Sequence, residues 1–171
     1  MNPVYVICTG GTMEKVYSER SGAVLNQTHK IEQYLKKLRL PAADVHIIEL
    51  MNKDSLEMTQ EDRALLAREL SKVLMHDSPV VITHGTDTMV ETGLYLNREF
   101  PGLRMPVVLT GAMTPLGFEG SDGLQNLTES LMASQLLHPG IFIVMHGQVF
   151  PIEHVCKDRE RSTFVRTDSV D

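Results

Sequence analysis

The 171-residue sequence has no tryptophan and only two cysteines, Cys8 and Cys156. Cys8 lies in an apolar segment and Cys156 near the other end of the chain, so the pair is typical of neither a disulfide scaffold nor a metal site. No apolar run approaches the roughly 20 residues that a membrane-spanning helix needs. No basic stretch followed by a long apolar one opens the sequence, so we expect no signal peptide and a cytoplasmic protein.

Positive charge is also scarce. The formal net charge is −6, and the basic residues form no strong cluster. This distribution argues against nucleic acid or an anionic membrane as the partner. The length allows one compact domain with a substantial core, and no repeat or linker divides the chain. We therefore expect a single domain over residues 1–171.

Apolar strand patterns alternate with amphipathic helix patterns along most of the chain. Strands are predicted over 3–8, 45–50, 79–83, 106–110 and 141–145, and helices over 28–39, 59–76, 88–97 and 123–137. Residues 9–27 are predicted as a long loop, and the chain after 145 as a short strand and irregular segments. Apolar strands that alternate with helices indicate a mostly parallel sheet covered on both faces, hence an α/β fold of three layers, α/β/α.

Polar residues follow several predicted strands at their carboxyl ends, where open parallel sheets bind ligands. They lie at 9–12, 54–55, 84–88, 110–112 and 121–122. Taken singly, each hydroxyl is explained as a helix N-cap, and Gly10 and Gly11 as a turn that needs positive φ. Hydroxyls at three successive strand ends favour a functional site at this edge, although fold position alone names no reaction.

Three familiar kinds of site fit this edge poorly. A phosphate site is disfavoured because neither GxGxxG nor GxxxxGK[ST] occurs. A metal site is disfavoured because the histidines are scattered; His46 is predicted to be a core residue, and His84 to hydrogen-bond the backbone. The GxSxG elbow of many serine hydrolases is absent. A lysine desolvated beside an acid can activate a hydroxyl instead, but spacing alone selects no particular lysine.

Six motifs occur in the order found in the bacterial-type L-asparaginases. They are "TGGTMEK", "DSLEMT", "HGTDTMVETG", "LTGAM", "SDGLQN" and "VCKD". The first and third together are highly specific, and the match covers nearly the whole chain. It corresponds to the N-terminal domain of the family's usual two, so the chain resembles a short, single-domain asparaginase. The resemblance implies a flavodoxin-like domain that hydrolyses L-asparagine to L-aspartate and ammonia without metal or cofactor, as a homo-oligomer, with a dimer expected.

The resemblance also implies roles for the catalytic residues. Thr12 matches the nucleophile on a mobile loop, and Tyr17 the loop tyrosine that orients it. Thr86, Asp87 and Lys157 match a proton-handling set in which Asp87 holds Lys157 and Lys157 activates Thr86. Under these assignments either threonine can attack first.

The implied substrate contacts come from the same motifs. Gly11 and Gly85 allow close backbone approach to the substrate, whose developing oxyanion would be stabilised by backbone N–H groups. Ser55 matches the serine that binds the α-carboxylate, and Asp87 also matches the group that meets the α-amino end. Ala112 matches a position whose backbone carbonyl meets the leaving amide.

Two departures from the family pattern bear on affinity. Leu56 stands where many members carry a polar residue that helps to hold the substrate, and the family's C-terminal domain is unmatched. We therefore expect weak binding of asparagine. Two alternatives stay open: an amidohydrolase of glutamine or another small amide, and a non-catalytic domain that binds an amino acid. The presence of Lys157 together with Thr12, Thr86 and Asp87 argues against a binding domain, which would not need the lysine.

Overall fold

The computed structural model describes residues 3–27, 29–41 and 43–167. The strands are β1 Pro3–Gly10, β2 Lys15–Ser18, β3 Ala23–Asn26, β4 Asp44–Lys53, β5 Val80–Thr83, β6 Pro106–Thr110, β7 Gly140–Met145, β8 Gln148–Pro151, β9 Val155–Asp158 and β10 Thr163–Arg166. The α-helices are α1 Ile31–Leu35, α2 Gln60–Leu74, α3 Met89–Glu99 and α4 Gly123–Leu136. Short 3₁₀ turns cover Thr12–Glu14, Ser55–Glu57 and Ile152–His154.

Six strands form the central sheet, in the order β4-β1-β5-β6-β7-β8. The first five are mutually parallel, and β8 returns antiparallel to β7. The predicted mostly parallel sheet is therefore confirmed. Because the parallel strands run the same way, the segments that follow β1, β4, β5 and β6 emerge at one edge of the sheet.

Alternate residues of the buried strands face two separate cores. On one face, Ile7 and Ile82 pack with Leu66 of α2 and Leu96 of α3. On the other, Val6 and its neighbours pack against α1 and α4. Burial of each such aliphatic side chain contributes about 1.5–3 kcal/mol. The three-layer α/β/α arrangement predicted from the alternating strand and helix patterns is confirmed.

Helix α2 begins at the predicted N-cap. Thr59 Oγ1 accepts a hydrogen bond from Asp62 N at 3.3 Å, and Asp62 Oδ2 accepts one from Thr59 N at 2.9 Å. This reciprocal capping box satisfies N–H groups that the first turn leaves without partners. Asp62 also accepts from Lys53 Nζ, so the cap ties α2 to the end of β4.

The prediction of a loop over residues 9–27 is wrong. The segment contains the end of β1, a 3₁₀ turn and the antiparallel hairpin of β2 and β3, here called the β2–β3 hairpin. Each strand of the hairpin has four residues, and neither is fully buried. Strands this short and this exposed carry too little apolar alternation to show in the sequence.

The predicted helix over 28–39 is too long. Helix α1 ends at Leu35, after which the N–H groups of Lys37 and Leu38 donate three residues back rather than four, so the backbone tightens into turns. Thr28 lies outside the described residues. The chain after 145 is more regular than predicted, because β8 extends the sheet and β9 and β10 form a second hairpin.

The prediction of His46 as a core residue is also wrong. Strand β4 is an edge strand, and His46 is exposed there, stacked on Tyr5 and 3.0 Å from Asp44 Oδ2. Both cysteines are free thiols. Among the helices that the structure describes, none is long and apolar enough to cross a membrane.

Candidate active site

The carboxyl ends of β1, β4 and β5 meet closely at one edge of the sheet. Gly11 has φ of 75°, and its N–H donates to Lys53 O at 2.8 Å. A β-carbon on Gly11 would collide with the backbone N of Gly85, and one on Gly85 would lie 2.5 Å from Ser55 Oγ. Since only glycine permits this approach, Gly11 and Gly85 allow the ends of these strands to come together beside Ser55.

Thr12 opens the 3₁₀ turn that follows Gly11. It is half-buried, whereas Glu14 at the end of the same turn is fully buried. The Glu14 carboxylate accepts from Lys30 N at 3.1 Å and lies 3.1 Å from His29 Nδ1. Burial raises the pKa of Glu14, although His29 opposes the shift. These contacts hold the buried end of the turn in place, and Thr12 at its other end lies at the sheet edge.

The β2–β3 hairpin is attached to this edge through polar contacts. Asn26 Nδ2 donates to Gly11 O at 2.8 Å and to Asn52 Oδ1 at 2.9 Å, and Lys15 pairs with Asp54. Tyr17 lies on β2 opposite Val24, with 58% of its surface exposed. In the part of the chain that the structure describes, no hydrogen bond joins Tyr17 to Thr12, so its orienting role stays a prediction.

Thr86, Asp87 and Lys157 form a hydrogen-bonded set. Lys157 lies on β9, and its Nζ donates to Thr86 Oγ1 at 2.7 Å and to Asp87 Oδ1 at 2.9 Å. The hydrogen bond from Lys157 lowers the pKa of Asp87, with a smaller contribution from Arg159. An amine this close to a hydroxyl can exchange a proton with it, which is the geometry that general base catalysis requires.

The backbone around Ala112 is held by Asp122. Its carboxylate accepts from the N–H groups of Met113 and Thr114 at 3.0 Å and lies 2.7 Å from His146 Nε2. Although burial of the Asp122 carboxyl works in the other direction, these donors lower its pKa. The same loop reaches Thr86, since Thr86 Oγ1 lies 3.7 Å from Met113 Sδ. Ala112 is buried directly before this held backbone, and its neighbour Met113 contacts Thr86.

A family model for the N-terminal domain of asparaginases matches residues 3–165. The chain belongs to the asparaginase family. A solved structure of the thermostable L-asparaginase from Thermococcus kodakarensis superposes with a TM-score of 0.84 at 28% identity, covering 96% of this chain and 51% of that one.

Two curated relatives illustrate the range of the asparaginase family. L-asparaginase 1 of Escherichia coli K12 is 34% identical over 134 residues, which are 75% of this chain and 39% of the relative. A glutamyl-tRNA(Gln) amidotransferase subunit of Pyrococcus horikoshii is 32% identical over 148 residues, which are 85% of this chain and 34% of the relative. This asparaginase-family chain thus spans about half or less of the length of the relatives it matches.

Some hydroxyls at strand ends stabilise the sheet of this asparaginase-family domain by hydrogen-bonding the backbone of a neighbouring strand. Thr9 Oγ1 donates to Thr83 O at 2.7 Å, and Thr110 Oγ1 donates to Val144 O at 2.9 Å. His84 is fully buried, with Nδ1 2.7 Å from Gly85 O as expected, and burial lowers its pKa to about 4. No cluster of three or more metal-ligating side chains occurs in the described ranges 3–27, 29–41 and 43–167.

Sequence reasoning placed Asp122 at this edge without a role and missed several other residues that support the site. The "SDGLQN" motif contains Asp122 and Asn126, and Asn126 Nδ2 donates to Gly111 O at 2.9 Å. His146, which links Asp122 to β10 through Thr163 Oγ1 at 2.9 Å, gave no signal. Arg159 gave none either, although its Nη1 lies 2.8 Å from Asp87 Oδ1. Long-range side-chain partners of this kind leave no local pattern.

Proposed function

We propose that the chain is an L-asparaginase, which hydrolyses L-asparagine to L-aspartate and ammonia with Thr12 as nucleophile. The observation that carries the proposal is the 2.7 Å hydrogen bond between Lys157 Nζ and Thr86 Oγ1, with Asp87 beside it. Family membership and the similarity to proteins named L-asparaginase support it. A reaction of this kind needs a nucleophile, a proton acceptor and fixed donors at one place.

The first half of the proposed reaction forms an acyl-enzyme. Thr12 Oγ attacks the side-chain amide carbon, and its proton passes to the amide nitrogen through neighbouring groups. The C–N bond then breaks, releasing ammonia and leaving an ester between Thr12 and the aspartyl group. Backbone N–H groups at the glycine turn, held by the Gly11–Lys53 hydrogen bond, would stabilise the oxyanion. The Ala112 carbonyl would accept a hydrogen bond from the leaving amide.

The second half hydrolyses the ester. Thr86, activated by Lys157, would take a proton from a water molecule, and the resulting hydroxide would attack the ester carbon. Aspartate leaves, and the Thr12 oxygen recovers a proton. In this scheme Asp87 keeps Lys157 in place and Ser55 binds the substrate α-carboxylate. An alkoxide is a stronger base in a water-poor site, and Thr86 is 5% exposed.

Two other functions differ from this proposal in their measurable outcome. The similarity to an amidotransferase subunit keeps open an amidohydrolase of another amide, such as glutamine. A non-catalytic amino-acid-binding domain would bind asparagine without releasing ammonia. The Lys157–Thr86 hydrogen bond favours catalysis, because a binding site gains little from placing an ammonium on a hydroxyl. We further propose that residues 1–171 act as one domain in a homodimer, which sedimentation of the purified chain would test.

The decisive experiment measures ammonia release from asparagine, glutamine and other small amides. We expect release from asparagine, faster than from glutamine. Thr12→Ala should abolish it while circular dichroism stays unchanged, because loss of the nucleophile removes the covalent route. Thr128→Ala, which removes an exposed hydroxyl of α4, is the matched control and should behave as wild type.

Each unfavourable outcome has a separate meaning. Substantial ammonia release by Thr12→Ala would exclude Thr12 as nucleophile. Faster release from glutamine would assign the site to a different amide. Tight binding of asparagine in calorimetry without any release would identify a binding domain.

A further inference from the structure

One carboxylate oxygen at the site has two cationic partners. Asp87 Oδ1 accepts from Lys157 Nζ at 2.9 Å and from Arg159 Nη1 at 2.8 Å. The Lys157 side chain is 15% exposed and belongs to the proposed proton relay, whereas the Arg159 side chain is 69% exposed. Arg159 therefore covers Asp87 from the solvent side, and this part of the site has one more positive charge than negative.

Three neighbouring aspartates do not balance this excess, because each has its own cation. Asp54 pairs with Lys15, and Asp62 pairs with Lys53 at 2.8 Å. Asp158, which follows Lys157, pairs with Arg161 at 3.7 Å. A ligand group that approaches Asp87 thus enters a locally positive field.

The residue beside Ser55 adds nothing to attract a cation. Leu56 is 71% exposed and apolar. A substrate ammonium at Asp87 would be the third cation around one carboxylate. Both existing contacts are made to Oδ1, and the Arg159 guanidinium would repel the ammonium even if it paired with Oδ2. A substrate without that ammonium would leave the Asp87–Arg159 pair intact, and its carboxylate would be attracted to the guanidinium.

We propose that Arg159 is a specificity-determining residue, which makes the site prefer ω-amides of dicarboxylic acids that carry no free ammonium over asparagine. Succinamic acid and N-acetylasparagine represent this class. The proposal rests on the amidohydrolase function proposed above and refines its substrate. Asparagine is then a slow substrate, and Arg159 is the reason.

The test compares kcat/KM for succinamic acid, N-acetylasparagine and asparagine in three proteins: wild type, Arg159→Gln and Arg161→Gln. Arg161→Gln removes the same charge from the same hairpin but not from Asp87, and it should leave the ratios unchanged. We expect Arg159→Gln to shift the succinamate-to-asparagine ratio towards asparagine by about three- to fivefold, a size set by the exposure of the pair. Added salt should shrink the wild-type preference, since exposed charges are screened.

Equal ratios in wild type and Arg159→Gln would overturn the proposal while leaving the amidohydrolase function standing. So would a wild-type preference for asparagine. If no amide releases ammonia, the proposed function fails, and calorimetry with succinate and aspartate then decides on Arg159. Tighter binding of succinate that is weakened in Arg159→Gln alone would support its role. Equal binding, or no binding of either, would overturn it.

Discussion

Lys157 has two hydrogen-bond partners at the site, and they make different demands on it. Thr86 needs a group that can take its proton, whereas Asp87 holds the amine in place through an ion pair. If the three residues act as one relay, removing any member should cost nearly the whole effect, because residues that act as a unit are not additive.

We expect Lys157→Met to be almost inactive and to lose no further activity when Thr86→Val is added. The measurement is kcat/KM for ammonia release in the two single variants and the double variant. Lys72→Met, which removes an exposed lysine of α2, should leave the rate unchanged. Multiplicative losses in the double variant would show that Thr86 and Lys157 act independently.

The affinity for asparagine depends also on the residue next to Ser55. Leu56 offers no hydrogen bond, and a missing charge-assisted bond is worth roughly 1.5–3 kcal/mol, or tenfold and more in the dissociation constant. We therefore expect a KM for asparagine on the order of 1 mM, at the upper end of the common range. Leu56→Gln should lower the KM, and Leu136→Gln, on the exposed face of α4, should not. A low micromolar wild-type KM would show that another group binds the charged end of the substrate.

Among the elements, the β2–β3 hairpin connects Thr12 to the rest of the edge. No residue of its strands is buried, and its attachment consists of a few polar contacts, so its opening should cost little free energy. We expect fast hydrogen exchange over residues 12–27 in the free protein and slower exchange with aspartate bound, since such segments gate active sites. Equal protection in both states would rule out a gating role.

One side chain of the hairpin offers a direct test of the attachment. Asn26→Ala removes both the bond to Gly11 O and the bond to Asn52 Oδ1. Exchange in the hairpin should become faster, and kcat should fall more than KM rises. Asn97→Ala removes an exposed amide that bonds Glu153, and it should change neither.

The same elements show what a sequence can predict. The central strands and α2 to α4 were found because buried strands are apolar throughout and these helices repeat every 3.6 residues. The sequence patterns missed the four strands of the two small hairpins. These strands are short and pair only within their own hairpin, β2 with β3 and β9 with β10. The sheet edge followed from the topology, and the resemblance supplied Lys157. Arg159 was out of reach, because its partner Asp87 lies 72 positions away.

Across the whole molecule, stability should depend on the buried histidine at the end of β5. Burial lowers the pKa of His84 to about 4, against about 6.5 in an unfolded chain. Between these values the unfolded chain binds a proton that the folded protein excludes, so stability is greatest above pH 6.5 and falls as the pH drops towards 4. The full loss is on the order of 3 kcal/mol.

The lowered pKa of Asp87 also makes the folded protein less stable as the pH falls. Its contribution to stability is lost only below about pH 4, the ordinary pKa of an aspartate in an unfolded chain. The raised pKa of Glu14 works in the opposite sense, because its contribution to stability is lost as the pH rises through the pKa of the folded state.

Urea unfolding between pH 7 and pH 4.5 should show the fall in unfolding free energy that His84 causes. His84→Gln should flatten it, and His76→Gln, an exposed histidine, should not. Parallel slopes in all three proteins would contradict this account.

The proposed relay joins residues 71 positions apart, and one of them lies on β9. A chain still emerging from the ribosome can therefore form β1 and β5 but cannot assemble Thr86 with Lys157 until β9 has been synthesised and docked. Contacts of such sequence separation close slowly. During refolding, the sheet should regain its circular dichroism first, and ammonia release should return only with the last phase, when the C-terminal hairpin reaches the strand ends.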